Sequence, residues 1–378
     1  MSSTTRPTLS AALDGCTVVI AVDRRSSELS AALERHGAVV RQAPALTIVP
    51  HIDDDALIAA TRSLIAAPPD IVVATTGVGF RGWIEAADEA GLADELHAAL
   101  AGARIVARGP KARGAIQQAG FTADWVAESE TSAELGEYLL AEGVAGHRVA
   151  VQHHGSGADG LDELLGDAGA DVVSLTVYRW GPPPDPAVVA RSVLAAAQGE
   201  VDAVLFTSAP GAAEWMAAAA REGAQEAIVD RTRRGRLLLA AVGPITAGPL
   251  QDAGAEPLIA ERGRLGALVR AVVSHFGGGH ADALQTGAGR LELRSAGVVL
   301  DGRHIPLSRT GADLMAALFD AGGGVVSRQR LQSVLPRSGE NTHAVEMAVA
   351  RLREALGTPD LVKTVVKRGY RLDVVDPV

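Results

Sequence analysis

A single cysteine, Cys16, stands among the 378 residues, so the chain cannot close a disulfide on itself. One thiol suits a reducing compartment, and beside the apolar run that follows it Cys16 reads as a small core residue. Aromatic residues make up only 3%. The first residues, MSSTTRPTLSAALDG, lack the basic-then-apolar order of a secretion signal. No apolar run approaches the ~20 residues that a bilayer demands. The expectation is a soluble, cytoplasmic protein with no membrane partner. Chemical motifs are equally scarce. There is no Walker A segment, and no Cys/His set has metal-ligand spacing; the adjacent His153 and His154 would diverge on a strand. Neither a nucleophile elbow nor a carboxylate pair stands out. No metal and no cofactor are therefore expected. A phosphoreceiver needs an acidic pair after its first strand and an aspartate after its third. Here the first strand leads into Asp23, Arg24 and Arg25, and the IVVATT strand ends in threonines, so phosphoryl switching has no acceptor.

What is present is aliphatic and acidic. Hydrophobic residues reach 47%, with 42 glycines, which suits a compact α/β protein and argues against disorder. The length predicts two or three domains. The net charge of −10 is unevenly spread: after residue 284 there are 13 Lys and Arg against 10 Asp and Glu, and before it 22 against 35. Charges act over a Debye length of ~8–10 Å at physiological salt, so a basic tail can engage phosphate while an acidic body is repelled by it.

An internal repeat organises the body. VVIAVDRRSSELSAALERHGAVV (18–40) matches RVAVQHHGSGADGLDELLGDAGADVV (148–173), IVVATTGVG (71–79) matches AVLFTSAPG (203–211), and VARGPKARGAIQQAG (106–120) matches AAVGPITAGPLQDAG (240–254). Short Val/Ile/Leu strands alternate with Ala-rich helices, which predicts βαβ units and parallel sheets in two lobes. Proline-bearing segments at 44–53 and 177–186 are the natural crossings. Lobe 1 then takes about 1–44 and 185–276, lobe 2 about 50–175, and a Gly-rich stretch, 277–289, has linker composition.

From 290 onward the pattern changes. LELRSAGVVLDGRHIPLS predicts antiparallel strands turning at Asp301 and Gly302. Helices are expected over 311–321, 328–335 and 342–356, then a hairpin around Lys367, Arg368 and Gly369: a small winged helix-turn-helix. The third helix places Val345, Val349, Leu352 and Leu356 on one stripe. Its other face offers His343, Met347, Ala350 and Arg351, with Arg353 nearby, a shape the major groove admits. Arg351 is the expected base contact, and Thr364, Lys367 and Arg368 would hold phosphate or enter the minor groove. DGRHIPLS (301–308), VVSRQRL (325–331), AVARLREAL (348–356) and TVVKRGYRL (364–372) together resemble the effector domain of the OmpR/PhoB response regulators. That resemblance implies binding of promoter DNA as a head-to-tail dimer. Lys367 departs from it, standing where the wing usually has an earlier glycine.

The loops expected at the carboxyl ends of the body's strands are ATTGVG, ARGP, QHHGSG, FTSAPG and AVGP. Glycines and helix N-termini present N–H groups there, a setting for anions. Arg24, Thr75, Thr76, Gly77, Gly109, Lys111, His154, Gly155, Thr207, Ser208, Gly243 and Thr246 are the candidate ligand residues. The repeat, GADVVSLTVYRW, FTSAPGAAEW and AVGPITAGPLQDAG resemble uroporphyrinogen-III synthase across about 17–276. The resemblance implies a two-lobed fold and, for an active member, cyclisation of hydroxymethylbilane without cofactor, with Tyr178 assisting loss of the terminal hydroxyl. DRR at 23–25 replaces that family's usual Thr-Arg-Pro.

Chains with both parts resemble actinobacterial regulators of nitrate and nitrite assimilation. The reading is a transcription regulator whose body senses a tetrapyrrole or another polyanionic small molecule. Two alternatives stay open: an enzyme with a DNA-binding appendage, and a scaffold that acts through a second regulator.

Overall fold

The computed structural model describes residues 11–22, 25–50, 55–153, 159–261, 263–335 and 342–375. In chain order the body's strands are β1 (Thr17–Ile20), β2 (Val39–Gln42), β3 (Thr47–Pro50), β4 (Ile71–Ala74), β5 (Arg104–Ala107), β6 (Trp125–Val126), β7 (Arg148–His153), β8 (Asp171–Thr176), β9 (Tyr178–Gly181), β10 (Ala203–Phe206), β11 (Leu238–Ala241) and β12 (Leu258–Ile259). The chain divides into two units, Met1–Leu46 with Pro183–Val378, and Thr47–Pro182.

Each unit holds one five-stranded parallel sheet, ordered β12-β11-β10-β1-β2 in the first and β6-β5-β4-β7-β8 in the second. The orders coincide once the repeat is applied, β10 standing for β4 and β1 for β7. Strands such as IVVA in β4 and AVLF in β10 are buried along their whole length, as expected of parallel strands covered on both faces. The repeat extends to side chains. The helix Gly77–Glu89 is capped by Thr76 and the helix Ala209–Arg221 by Ser208. The indole N–H of Trp83 donates to Thr61 Oγ1, that of Trp215 to Ser192 Oγ, each at 3.0 Å, and all four groups are buried. The proline-bearing crossings contribute β3 and β9, which pair antiparallel from Thr47 opposite Gly181 to Pro50 opposite Tyr178.

The C-terminal region, here the head, adds β13 (Ala283–Thr286), β14 (Gly289–Arg294), β15 (Gly297–Leu300) and β16 (Arg303–Pro306) as an antiparallel sheet in that order. Helices Arg309–Asp320, Arg328–Ser333 and Thr342–Leu356 follow, then β17 (Val362–Val365) and β18 (Gly369–Leu372), paired as a hairpin. The stripe Val345, Val349, Leu352 and Leu356 is buried, packed with Leu314, Leu318, Tyr370 and Leu372. The stretch 277–289 differs from its linker composition. The preceding helix runs to Gly277, and β13 pairs along β14, with Arg290 Nη2 donating to the carbonyls of Gly279 and Ala281 at 2.9 and 3.0 Å. Satisfied backbone groups, invisible in composition, fix it in place.

Candidate nucleic-acid interface and ligand loops

In the head, burial of the apolar stripe turns the opposite face of Thr342–Leu356 to solvent. His343, Met347, Ala350 and Arg351 are exposed, Met347 by 56%. Glu346 lies on the same face, 3.3 Å from His343 and 3.6 Å from Arg328. Arg353 is placed differently from the expected phosphate or base contact. Its Nε donates to the Val362 carbonyl at 2.8 Å and its Nη2 to Thr364 Oγ1 at 2.9 Å. The guanidinium also lies 5.9 Å from the Tyr370 ring. It fastens the wing to the helix, with Thr364 Oγ1 as one acceptor. Lys367 and Arg368 are exposed at the hairpin turn, next to Val366, which is 77% exposed. Lys367 itself has φ 62°, the left-handed conformation that the missing glycine would have supplied. Arg328 and Arg330, on the preceding helix, add basic groups that the motif reading passed over.

In the second unit, Thr75, Thr76 and Gly77 follow β4, while Gly109 and Lys111 follow β5. Two of the hydroxyls are engaged by the protein. Buried Thr75 donates to the Gln152 carbonyl at 2.7 Å, and Thr76 Oγ1 accepts from Gly79 N at 3.0 Å. Gly77 lets two helices meet, since a Cβ there would strike the Lys111 carbonyl. Gly109 is extended, φ 179°, and opens the helix Pro110–Gln118 with proline in its first turn. The Lys111 side chain is exposed. Tyr178 is 5% exposed, within the unit's core and edge-on to Trp180 at 5.6 Å. Arg24, His154 and Gly155 lie outside the described residues.

Two further polar groups in this unit lie outside the candidate ligand residues. Arg108 belongs to the ARGP loop that follows β5. It is half-buried; burial lowers its pKa, while Tyr178, Asp159 and Glu130 favour its charge. His153 is buried at the end of β7, its Nε2 2.9 Å from the Asp162 carboxylate, which also accepts from Ser174. Burial works to raise the Asp162 pKa, but the hydrogen bonds from His153 and Ser174 prevail and leave it lowered.

In the first unit, Thr207 and Ser208 follow β10 and Gly243 and Thr246 follow β11. Ser208 Oγ accepts from Gly211 N at 3.3 Å, the twin of the Thr76 cap. Gly243 is extended, φ −174°, with nothing within 4 Å of a notional Cβ. Thr246 is buried on the first turn of the helix Pro244–Asp252. The described candidates thus gather at strand carboxyl ends within each unit, although the Thr76 and Ser208 hydroxyls serve as caps.

No helix among the described residues is long and apolar enough to cross a membrane. The family described as uroporphyrinogen-III synthase HemD matches residues 27–270, and that described as transcriptional regulatory protein, C terminal, matches 302–372. The uncharacterized protein YjjA of Bacillus subtilis (strain 168) is 29% identical over 265 residues, 69% of this chain and 96% of its own. A crystal structure of uroporphyrinogen III synthase from the extremely thermophilic bacterium Thermus thermophilus, a mutant form, is 29% identical. It spans 68% of this chain and 98% of its own, with a TM-score of 0.56. The DNA-binding domain of E. coli CadC is 29% identical over 24% of this chain and 94% of its own, with a TM-score of 0.22. The chain belongs to the uroporphyrinogen-III synthase HemD family and carries, behind that body, an OmpR/PhoB-type winged-helix domain.

Proposed function

We propose that the protein is a DNA-binding transcription regulator whose synthase-like body senses a polyanionic small molecule of the tetrapyrrole class. The observation that carries the reading is the outward face of Thr342–Leu356, with Arg351 exposed beside a basic wing on a domain matched to transcriptional regulators. Extended Gly109 and Gly243, each opening a helix, support anion recognition in the body. A coupling of ~1–3 kcal/mol between ligand and DNA would change affinity 5- to 150-fold. Two heads on a direct repeat would act as a dimer. The resemblance to regulators of nitrate and nitrite assimilation makes promoters of that kind the first to test.

Binding of the full chain to footprinted promoter DNA tests the reading. Arg351→Ala is expected to weaken specific binding by ~1–3 kcal/mol, the value of a bidentate arginine–guanine pair. Lys367→Ala should lower affinity across all sequences and reduce the salt slope by about one. Unchanged affinity in both variants sinks the assignment of the reading face.

Family membership favours a second reading, in which the body also catalyses hydroxymethylbilane cyclisation. That reading expects the type III isomer above the spontaneous type I product, and loss of the excess in Tyr178→Phe. Identical isomer ratios with and without protein would eliminate it.

A further inference from the structure

The head is joined to lobe 1, the body part of the first unit, by side chains as well as by chain. Asp202 immediately precedes β10. One of its carboxylate oxygens accepts the N–H of Thr17 at 2.7 Å, and the other accepts the N–H of Ser295, between β14 and β15, at 2.8 Å. The Ser295 hydroxyl donates to the same carboxylate, and Ala296 N–H donates to the Gly15 carbonyl at 3.2 Å. Asp202 is buried, and that burial pushes its carboxyl up despite the hydrogen bonds and the nearby Arg294 that oppose it. A second contact is made by Arg236, which lies 4.1 Å over the Phe319 ring while reaching Asp282 at 3.0 Å and Asp320 at 2.9 Å. A third is Arg309 to Glu200 at 2.7 Å.

The repeat shows which part of this is new. In the second unit Asp70, immediately before β4, accepts the N–H of Arg148 at 2.7 Å just as Asp202 accepts that of Thr17. Asp70 is open to solvent, with His147 3.5 Å away. The strand-start aspartate therefore belongs to the repeated body, whereas its burial under Ser295 belongs to the head. Both oxygens of Asp202 accept backbone N–H groups, so an asparagine must turn its NH₂ toward one of them. Among the described residues, none of these crossing contacts comes from Thr342–Leu356 or the wing.

We propose that Asp202–Ser295 and the Arg236 clamp form a fixed seat, so that lobe 1 and the reading head move as one body and 277–282 is not a hinge. Asp202 is then a positioning residue for the DNA-reading face. The seat is tested without DNA or ligand, and so fails or stands separately from the regulatory reading.

The experiment measures the distance between spin labels on the full chain, at Arg191→Cys in lobe 1 and Glu354→Cys in the head. Both positions are exposed, and the native Cys16 is buried. One narrow distance is expected. Asp202→Asn should broaden it, and so should Arg236→Ala with Asp320→Ala, which alters only the clamp, where Asp320 is half-exposed and Arg236 mostly covered, and leaves Asp202 in place should that substitution fail to fold. A broad, multi-valued distance before any seat substitution overturns the proposal, as does a distance left narrow by the clamp pair.

Discussion

Gly369→Ala should detach the wing and abolish DNA binding while leaving the body folded. Gly369 has φ +142°, a conformation that L side chains rarely adopt, and a Cβ there would run into the Val326 carbonyl oxygen. That oxygen is already engaged: Tyr370 N donates to it at 3.0 Å, and Val326 N donates back to the Tyr370 carbonyl at 2.8 Å. A methyl group cannot enter without breaking this bridge. Backbone strain costs ~1–3 kcal/mol, and leaving a buried hydrogen-bonding group without its partner costs ~1–3 kcal/mol more. Tyr370, buried in the head's core and faced by Arg328 and Arg353, would lose its position as well. Thermal unfolding and promoter binding of the same preparation check this together, and a variant that binds with native affinity contradicts it. Lys367→Gly separates the two effects. It relieves the left-handed backbone at φ 62° and adds up to ~1 kcal/mol of stability, yet it removes the wing charge proposed to meet phosphate.

Trp83→Ala should unfold the second unit selectively, at a cost of ~3–5 kcal/mol for emptying a buried tryptophan site. The ring is fully buried, edge-on to Phe80 at 6.0 Å, and packs in a cluster confined to the second unit. Trp83→Phe retains most of the packing and loses only the indole bond to Thr61. Thr61 keeps its own bond to the Leu57 carbonyl at 2.8 Å, so no buried hydroxyl is stranded and the loss should be the smaller of the two. Calorimetry should show a transition lowered for one unit, with the first unit's own clusters untouched. A single unshifted transition in Trp83→Ala would refute the separate-core reading.

Much of this was legible because it is periodic. Three matched segments at a near-constant offset disclose the repeat, and the repeat dictates that the two sheets share one strand order. The Val345–Leu356 stripe reveals the head's third helix for the same reason. What escaped depends on partners distant in sequence. Nothing local separates Arg353, folded back on Val362 and Thr364, from Arg351, which is exposed. Thr75 and Ser208 carry hydroxyls suited to a ligand, but strand ends next to helix starts use such groups first to satisfy backbone. Arg108 was overlooked because the neighbouring glycine and proline explained its loop without it. Glycine-rich 277–289 reads as a tether only until β14 is seen beside it.

That last segment bears on how such proteins can be recombined. A reading head that rests on its own sheet and on a carboxylate of the neighbouring lobe is not a portable cassette. A graft cut inside 283–286 would leave the new head an open sheet edge. A recipient body without an acid at the position of Asp202 would remove the carboxylate that accepts the Ser295 amide. Exchange of specificity between relatives is better sought on the exposed face of Thr342–Leu356 than by swapping whole domains.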